Sequence, residues 1–171
     1  MSLVYLDDGI IHMDPGSFMW VQTIRFKISR DDDDQSLLRC LIATPWYCHD
    51  YASPFDPDRE VVEPAVHGRW WRSSISPELF EPCDASDAET VLTDWAENHD
   101  WGGGYRPSQD ALQQLQVTFS VFHSGSLYQL HNPGPEHVHD YGWVTGGMGF
   151  HEFVVIDRDS LLLHLMVASD D

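Results

Sequence analysis

Strands at both ends of the chain with helical periodicity between them predict an α+β protein. The expected fold is a mainly antiparallel β-sheet, with a meander in the C-terminal third and two helices between the N- and C-terminal strands. Three observations carry this expectation: period-two alternation over Phe18 to Ile28, apolar residues at helical spacing between Ser86 and Leu115, and alternating segments separated by short turns from Gln116 onward. A length of 171 residues, 42% of them hydrophobic, fits a single domain over residues 1–171. The helices are expected to pack on one face of the sheet.

The first element read from the chain is a strand, with Phe18, Trp20, Ile24, Phe26 and Ile28 on one side and Val21, Thr23, Arg25 and Lys27 on the other. The run Asp31-Asp32-Asp33-Asp34 breaks it, because adjacent carboxylates repel and demand water. These acids lack the spacing, central Gly and terminal Glu of an EF-hand loop. Leu37 to Thr44 then reads as a second strand, making a hairpin with a charged tip. Pro45 to Pro64 has no periodicity and reads as a long surface excursion carrying Trp46, Tyr47, Tyr51 and Phe55. In such a loop these rings serve as anchors to the body or as a recognition surface for a partner. Anchoring accounts for how so long a loop offsets its ordering entropy.

A short strand-like piece covers Ala65 to Arg72. Ser86 with Glu89 reads as a capping box ahead of Ala88, Val91, Leu92 and Trp95, and Ser108 as the cap of a shorter helix with Ala111, Leu112 and Leu115. The meander is then assigned to Gln116–His123, Leu127–His131, Val138–Thr145, Gly149–Ile156 and Leu161–Ala168. Ser124-Gly125 and Asp157-Arg158-Asp159-Ser160 make the tight turns.

Charge excludes more functions than it admits. The chain carries 28 acidic against 9 basic residues, a net charge of -19. The excess is even along its length: -6, -7 and -6 over residues 1–60, 61–115 and 116–171, so no detachable acidic tail explains it. Such a surface repels phosphate backbones and anionic headgroups, which argues against nucleic-acid and membrane partners. The N-terminal residues Met1 to Asp8 have neither the basic region nor the apolar stretch of a signal peptide, and a cytoplasmic location is expected. Three cysteines, Cys40, Cys48 and Cys83, without CxxC spacing support neither a disulfide framework nor a zinc ribbon.

Ligand character is concentrated in His131-Asn132-Pro133-Gly134-Pro135-Glu136-His137-Val138-His139-Asp140. On a strand, His137 and His139 point the same way and can approach one divalent transition metal, with His131, Glu136 or Asp140 as a further ligand. With His123, His151 and His164 on neighbouring strands, this pair resembles a cupin-like metal site. It departs from the cupin pattern where Trp143 stands in place of a Glu. The glycine clusters Gly102-Gly103-Gly104 and Gly146-Gly147-Met148-Gly149 lack the flanking residues of phosphate-binding loops and read as turns. No GxSxG elbow is present, and the acidic setting of Cys83 raises its thiol pKa.

The sequence therefore points first to an acidic interaction protein of immunity or inhibitor type. It would need no cofactor and would bind a basic protein partner through charge and the loop aromatics Trp46, Tyr47, Tyr51 and Phe55. The alternative is a metal-binding protein or metal-dependent enzyme using His131, His137 and His139.

Overall fold

A computed structural model describes residues 3–13, 18–49, 51, 65–98, 105–140 and 146–170. It is α+β, built on one six-stranded antiparallel sheet. Strand β1 (Val4–His12) pairs with β2 (Met19–Lys27), and a helix α1 (Asp34–Ala43) follows. Two-residue strands β3 (Val66–His67) and β4 (Trp70–Trp71) form a small separate hairpin. Then come β5 (Phe80–Pro82), helices α2 (Ala85–Glu97) and α3 (Gln109–Phe122), and the strands β6 (Ser126–Leu130), β7 (His151–Asp157) and β8 (Leu162–Asp170). The strand order is β1-β2-β8-β7-β6-β5.

Both faces of the sheet are covered: the two helices expected from the sequence, α2 and α3, share one face, and α1, which was not expected, lies on the other. Leu37, Leu38 and Leu41 of α1 pack with Tyr47, Tyr51 and Trp70 over Trp20, Ile24, Phe26, Val154, Leu163 and Leu165. On the opposite face, Leu92 and Trp95 of α2 and Leu115, Phe119 and Phe122 of α3 pack over Val21, Phe153, Val155 and Met166. Burial on both sides explains why the central strands β7 and β8 read as nearly continuous apolar runs. On the side of the Phe18–Ile28 strand that carries Val21, Thr23, Arg25 and Lys27, Val21 is buried under the helices while Arg25 and Lys27 remain exposed.

Four expectations are overturned. Residues 37–44 are not a strand. Asp33 is the N-cap of α1, its Oδ1 accepting from Ser36 N at 2.9 Å, and the acid run that looked like a loop starts a helix by supplying the cap and a first-turn carboxylate. Residues 116–122 are not a strand either, because α3 continues to Phe122 with Leu115, Phe119 and Phe122 buried at helical spacing and Val117 outward. Ser86 does not cap α2. The helix begins one residue earlier, and Ser86 O accepts from Thr90 Oγ1 at 2.8 Å within it. Finally, Val138 makes a single bridge to Trp70 after a 3-10 turn over Pro135–His137, and Tyr141 to Thr145 lie outside the described residues.

Residues 52–64 and the Gly102-Gly103-Gly104 cluster lie outside the described residues, and the described start of the expected surface excursion is buried at Tyr47, Cys48, His49 and Tyr51; the other described elements fall near where the pattern placed them. Ser108 caps α3, accepting from Ala111 N at 3.0 Å. Asp157 Oδ1 accepts from Asp159 N and Ser160 N, both at 3.0 Å, closing the β7–β8 turn. Gly125 makes the α3–β6 turn possible, since a Cβ there would sit 2.2 Å from Ile156 O. Strand β1 was not read from the sequence. Its Asp7-Asp8-Gly9 centre is depleted in strand formers, and an edge strand lacks the alternation that marks a half-buried one.

Candidate functional site

The histidines expected to form a metal site are dispersed. His137 sits in the 3-10 turn, with Nε2 3.7 Å from Glu136 Oε1. His139 lies beyond that turn, its Nε2 2.7 Å from Gly68 O. His131 is exposed at the end of β6, its backbone N–H donating to Leu79 O at 2.7 Å. The strand that would align His137 with His139 is not formed. Among the described residues, no group of three or more His, Cys, Asp or Glu is placed to hold a metal ion. Of the other histidines, His123 ends α3 against Glu89 at 2.6 Å, while His151 and His164 stand on β7 and β8.

The loop aromatics are tied into the body. Trp46 is half-buried and stacks on Tyr5, with ring centroids 5.7 Å apart. Tyr51 is buried between Trp20 and His49, at centroid separations of 5.0 and 4.6 Å, and its positive φ of 59° is held by that stack. Tyr47 is fully buried and lies flat on His67, 3.6 Å between centroids. Phe55 lies outside the described residues.

Tyr47 and His67 converge on Glu152, a carboxylate 1% exposed in the middle of the sheet. The Tyr47 hydroxyl donates to Glu152 Oε1 at 2.8 Å, and His67 Nε2 is 2.7 Å from Oε2. His67 Nδ1 is 2.7 Å from Tyr47 O, a group that only accepts, so Nδ1 carries a proton. Both ring nitrogens thus face oxygens, and the His67–Glu152 pair holds one further proton between Nε2 and Oε2. Burial, together with the Glu152 carboxylate, pushes the Tyr47 hydroxyl well above its ordinary pKa. This network fastens the 3-10 turn at Tyr47 and the β3–β4 hairpin at His67 to β7. Sequence reasoning missed it, although a lone Glu inside the apolar run of residues 152–156 is a signal, since a buried carboxylate demands partners.

A cavity of about 440 Å³ opens where β6 leaves β7. Their ladder ends at Gln129↔Phe153, and β6 follows β5 instead, through Phe80↔Leu130. Arg69, Glu81, Cys83, His131 and His151 are among its walls. The Cys83 thiol is pushed up to about 11, first by burial and then by Asp84 and Asp87, which makes it a poor nucleophile at neutral pH.

The outer surface divides into two kinds. Residues 84–98, containing α2, carry Asp84, Asp87, Glu89, Asp94 and Glu97 and no cation. Elsewhere Arg25 pairs with Asp7 and Arg158 with Asp34. Strand β1, at the end of the sheet, instead exposes Val4, Leu6 and Ile10 around Asp7 and Asp8. Its register shifts between Tyr5 and Asp7. No helix among the described residues is long and apolar enough to cross a membrane. Compared with known proteins, the chain matches no family model, no curated protein and no solved structure.

Proposed function

We propose that the protein is an acidic interaction protein that masks a cationic protein partner in the cytoplasm, in the manner of an immunity or inhibitor protein, and that it binds neither nucleic acid nor membrane. The observation that supports this best is the charge on α2. Its last turn contains no basic residue, while Asp94 and Glu97 sit near the C-terminal end, where the helix dipole is already negative. Carboxylates there cost the helix a few tenths of a kcal/mol, and at i+4 Asp94 has only a neutral partner, Asn98 Nδ2 donating to its Oδ1 at 2.9 Å, rather than a cation. Charge kept at the helix's expense is charge with a use outside it. Summed over the molecule it makes a long-range field that accelerates encounter with a basic surface.

Two variants with the same loss of charge test this. One neutralises α2 (Asp87→Asn, Asp94→Asn, Glu97→Gln); the other neutralises exposed acids elsewhere (Asp31→Asn, Glu136→Gln, Asp159→Asn). Partners captured at low salt should be basic, and their association should slow as salt shortens the screening length to about 8 Å at physiological ionic strength. The α2 variant should slow association more than its charge-matched control. Capture of only acidic or neutral proteins, or association that ignores salt and both variants, overturns the reading.

A further inference from the structure

We infer that β1 is where the partner grips: an extended cationic segment adds as a seventh strand to the outer edge of the sheet, which no other strand pairs among the described residues. This rests on the reading above and supplies its contact surface. Charge sets the rate of encounter, but residence depends on apolar contact and hydrogen bonds, and in this molecule the two are separated. Carboxylates are spread along the chain, whereas the large hydrophobic side chains exposed among the described residues gather at one edge. They are Val4 (53%), Leu6 (44%) and Ile10 (47%) on β1, Phe18 (63%) just before β2, and Val117 (71%) on the part of α3 beside β1.

The edge itself is long enough to be read by another strand. β1 has nine residues, about 30 Å at the usual rise, and no proline interrupts it. As the terminal strand among the described residues it turns alternate N–H and C=O groups away from β2, in the direction from which a docked segment would bond them. A cleft of about 450 Å³ runs alongside, between this end of the sheet and α3, with Asp7, Gly9, Arg25, Val117 and His164 in its walls. Alternate side chains of an added strand project into such a cleft.

The charge on the edge selects the occupant. Asp7 is neutralised by Arg25, but Asp8 receives only neutral donors, Tyr5 Oη at 2.7 Å and Gln22 Nε2 at 3.0 Å. A Lys or Arg on the incoming strand meets that carboxylate. A second copy of the chain fits badly. Asp8 is the middle residue of Val4–His12, so antiparallel self-pairing about a two-fold axis sets Asp8 against Asp8, between chains that each carry -19.

The test uses a capped nine-residue peptide of alternating lysine and valine, with a glutamate–valine peptide as control, and amide hydrogen exchange on the intact protein. With the lysine peptide, the β1 amides that do not bond to β2 should exchange about tenfold more slowly, and the glutamate peptide should leave them unchanged. Leu6→Ser with Ile10→Ser should weaken lysine-peptide binding about tenfold through faster dissociation, with its salt dependence intact. Gly9→Ile should weaken it without unfolding, because a Cβ there meets only Thr23 Oγ1 at 3.4 Å while the longer side chain fills the cleft mouth. Binding that leaves β1 unprotected, absence of binding, or concentration-dependent protection without peptide each overturns the inference. None of these touches the salt-dependent capture of a basic partner, which is measured separately.

Discussion

The two faces of the sheet are covered by different means. One is roofed by α1 and by short turns and the β3–β4 hairpin around residues 45–49, 51 and 65–75, the other by the paired helices α2 and α3. Helices satisfy their own backbone and need only an apolar stripe, so Leu92, Trp95, Leu115 and Phe119 suffice on their side. Such short elements satisfy less of their own backbone than a long helix does and cost more entropy to order. They are accordingly held by directional contacts: the Tyr47–His67–Glu152 network, the Trp20–Tyr51–His49 stack, and Gly68 N donating to His49 O at 2.7 Å. A cover of short elements needs polar bolts where a helical cover needs only grease.

The largest expected effect tests that difference directly. Glu152→Ala strands the buried His67 and Tyr47 and should cost about 3–5 kcal/mol in denaturant unfolding, the usual result of breaking a buried pair. Phe153→Ala, the next residue but on the helical face, should cost a similar amount by cavity formation, about 3–5 kcal/mol. The two separate in their conservative replacements. Glu152→Gln keeps the acceptor for Tyr47 and presents an amide N–H to a neutral His67 Nε2, so every group is satisfied with one proton fewer, and the loss should fall to about 1 kcal/mol. If Glu152→Ala unfolds no more easily than the parent, the network is not what holds the cover of short elements.

The same contrast decides what was legible in the sequence. β7 and β8 were readable because their apolar runs flank a turn whose residues announce it, and Ser108 because a cap acts within three residues. The sheet-on-helix class follows from such local signals. Residues 37–44 and 116–122 were misread because short apolar runs fit either period, and the outcome depends on which layer buries them. The network was invisible for a different reason: Tyr47 and His67 lie 105 and 85 positions from Glu152, and nothing local specifies that meeting. The outer edge of β1 was hidden for the converse reason, since an edge that no described strand pairs leaves no periodic trace.

On the helical face the caps give a middling effect with an internal control. Ser108→Ala removes the side-chain acceptor for Ala111 N and should lower stability by about 1 kcal/mol. Ser86→Ala, one residue into α2, removes no cap and raises helix propensity, so its unfolding midpoint should stay level or rise slightly. Equal losses at the two serines would mean that α2 begins at Ser86 after all, and that the cover of this face is framed differently.

The smallest effect lies where the helical cover stops. His164 on β8 lines the cleft beside β1, and burial, followed by the nearby Arg25 charge, lowers its pKa, against the opposing pull of Asp157 and Asp7. A histidine whose folded pKa lies below its unfolded value of about 6.5 binds fewer protons folded than unfolded. Its neutral form favours the fold, so the contribution is complete above the unfolded pKa and is lost as pH falls from there toward the lowered folded value. Stability should therefore decline as pH drops from 7 to 5, and His164→Gln should flatten part of that slope. The tyrosine hydroxyls on the opposite face, held well above their usual range, stay protonated throughout the window and add nothing to it. A slope unchanged by His164→Gln would place the titrating group elsewhere, on the opposite face or the surface, and would take from the helical face the one proton-linked response assigned to it.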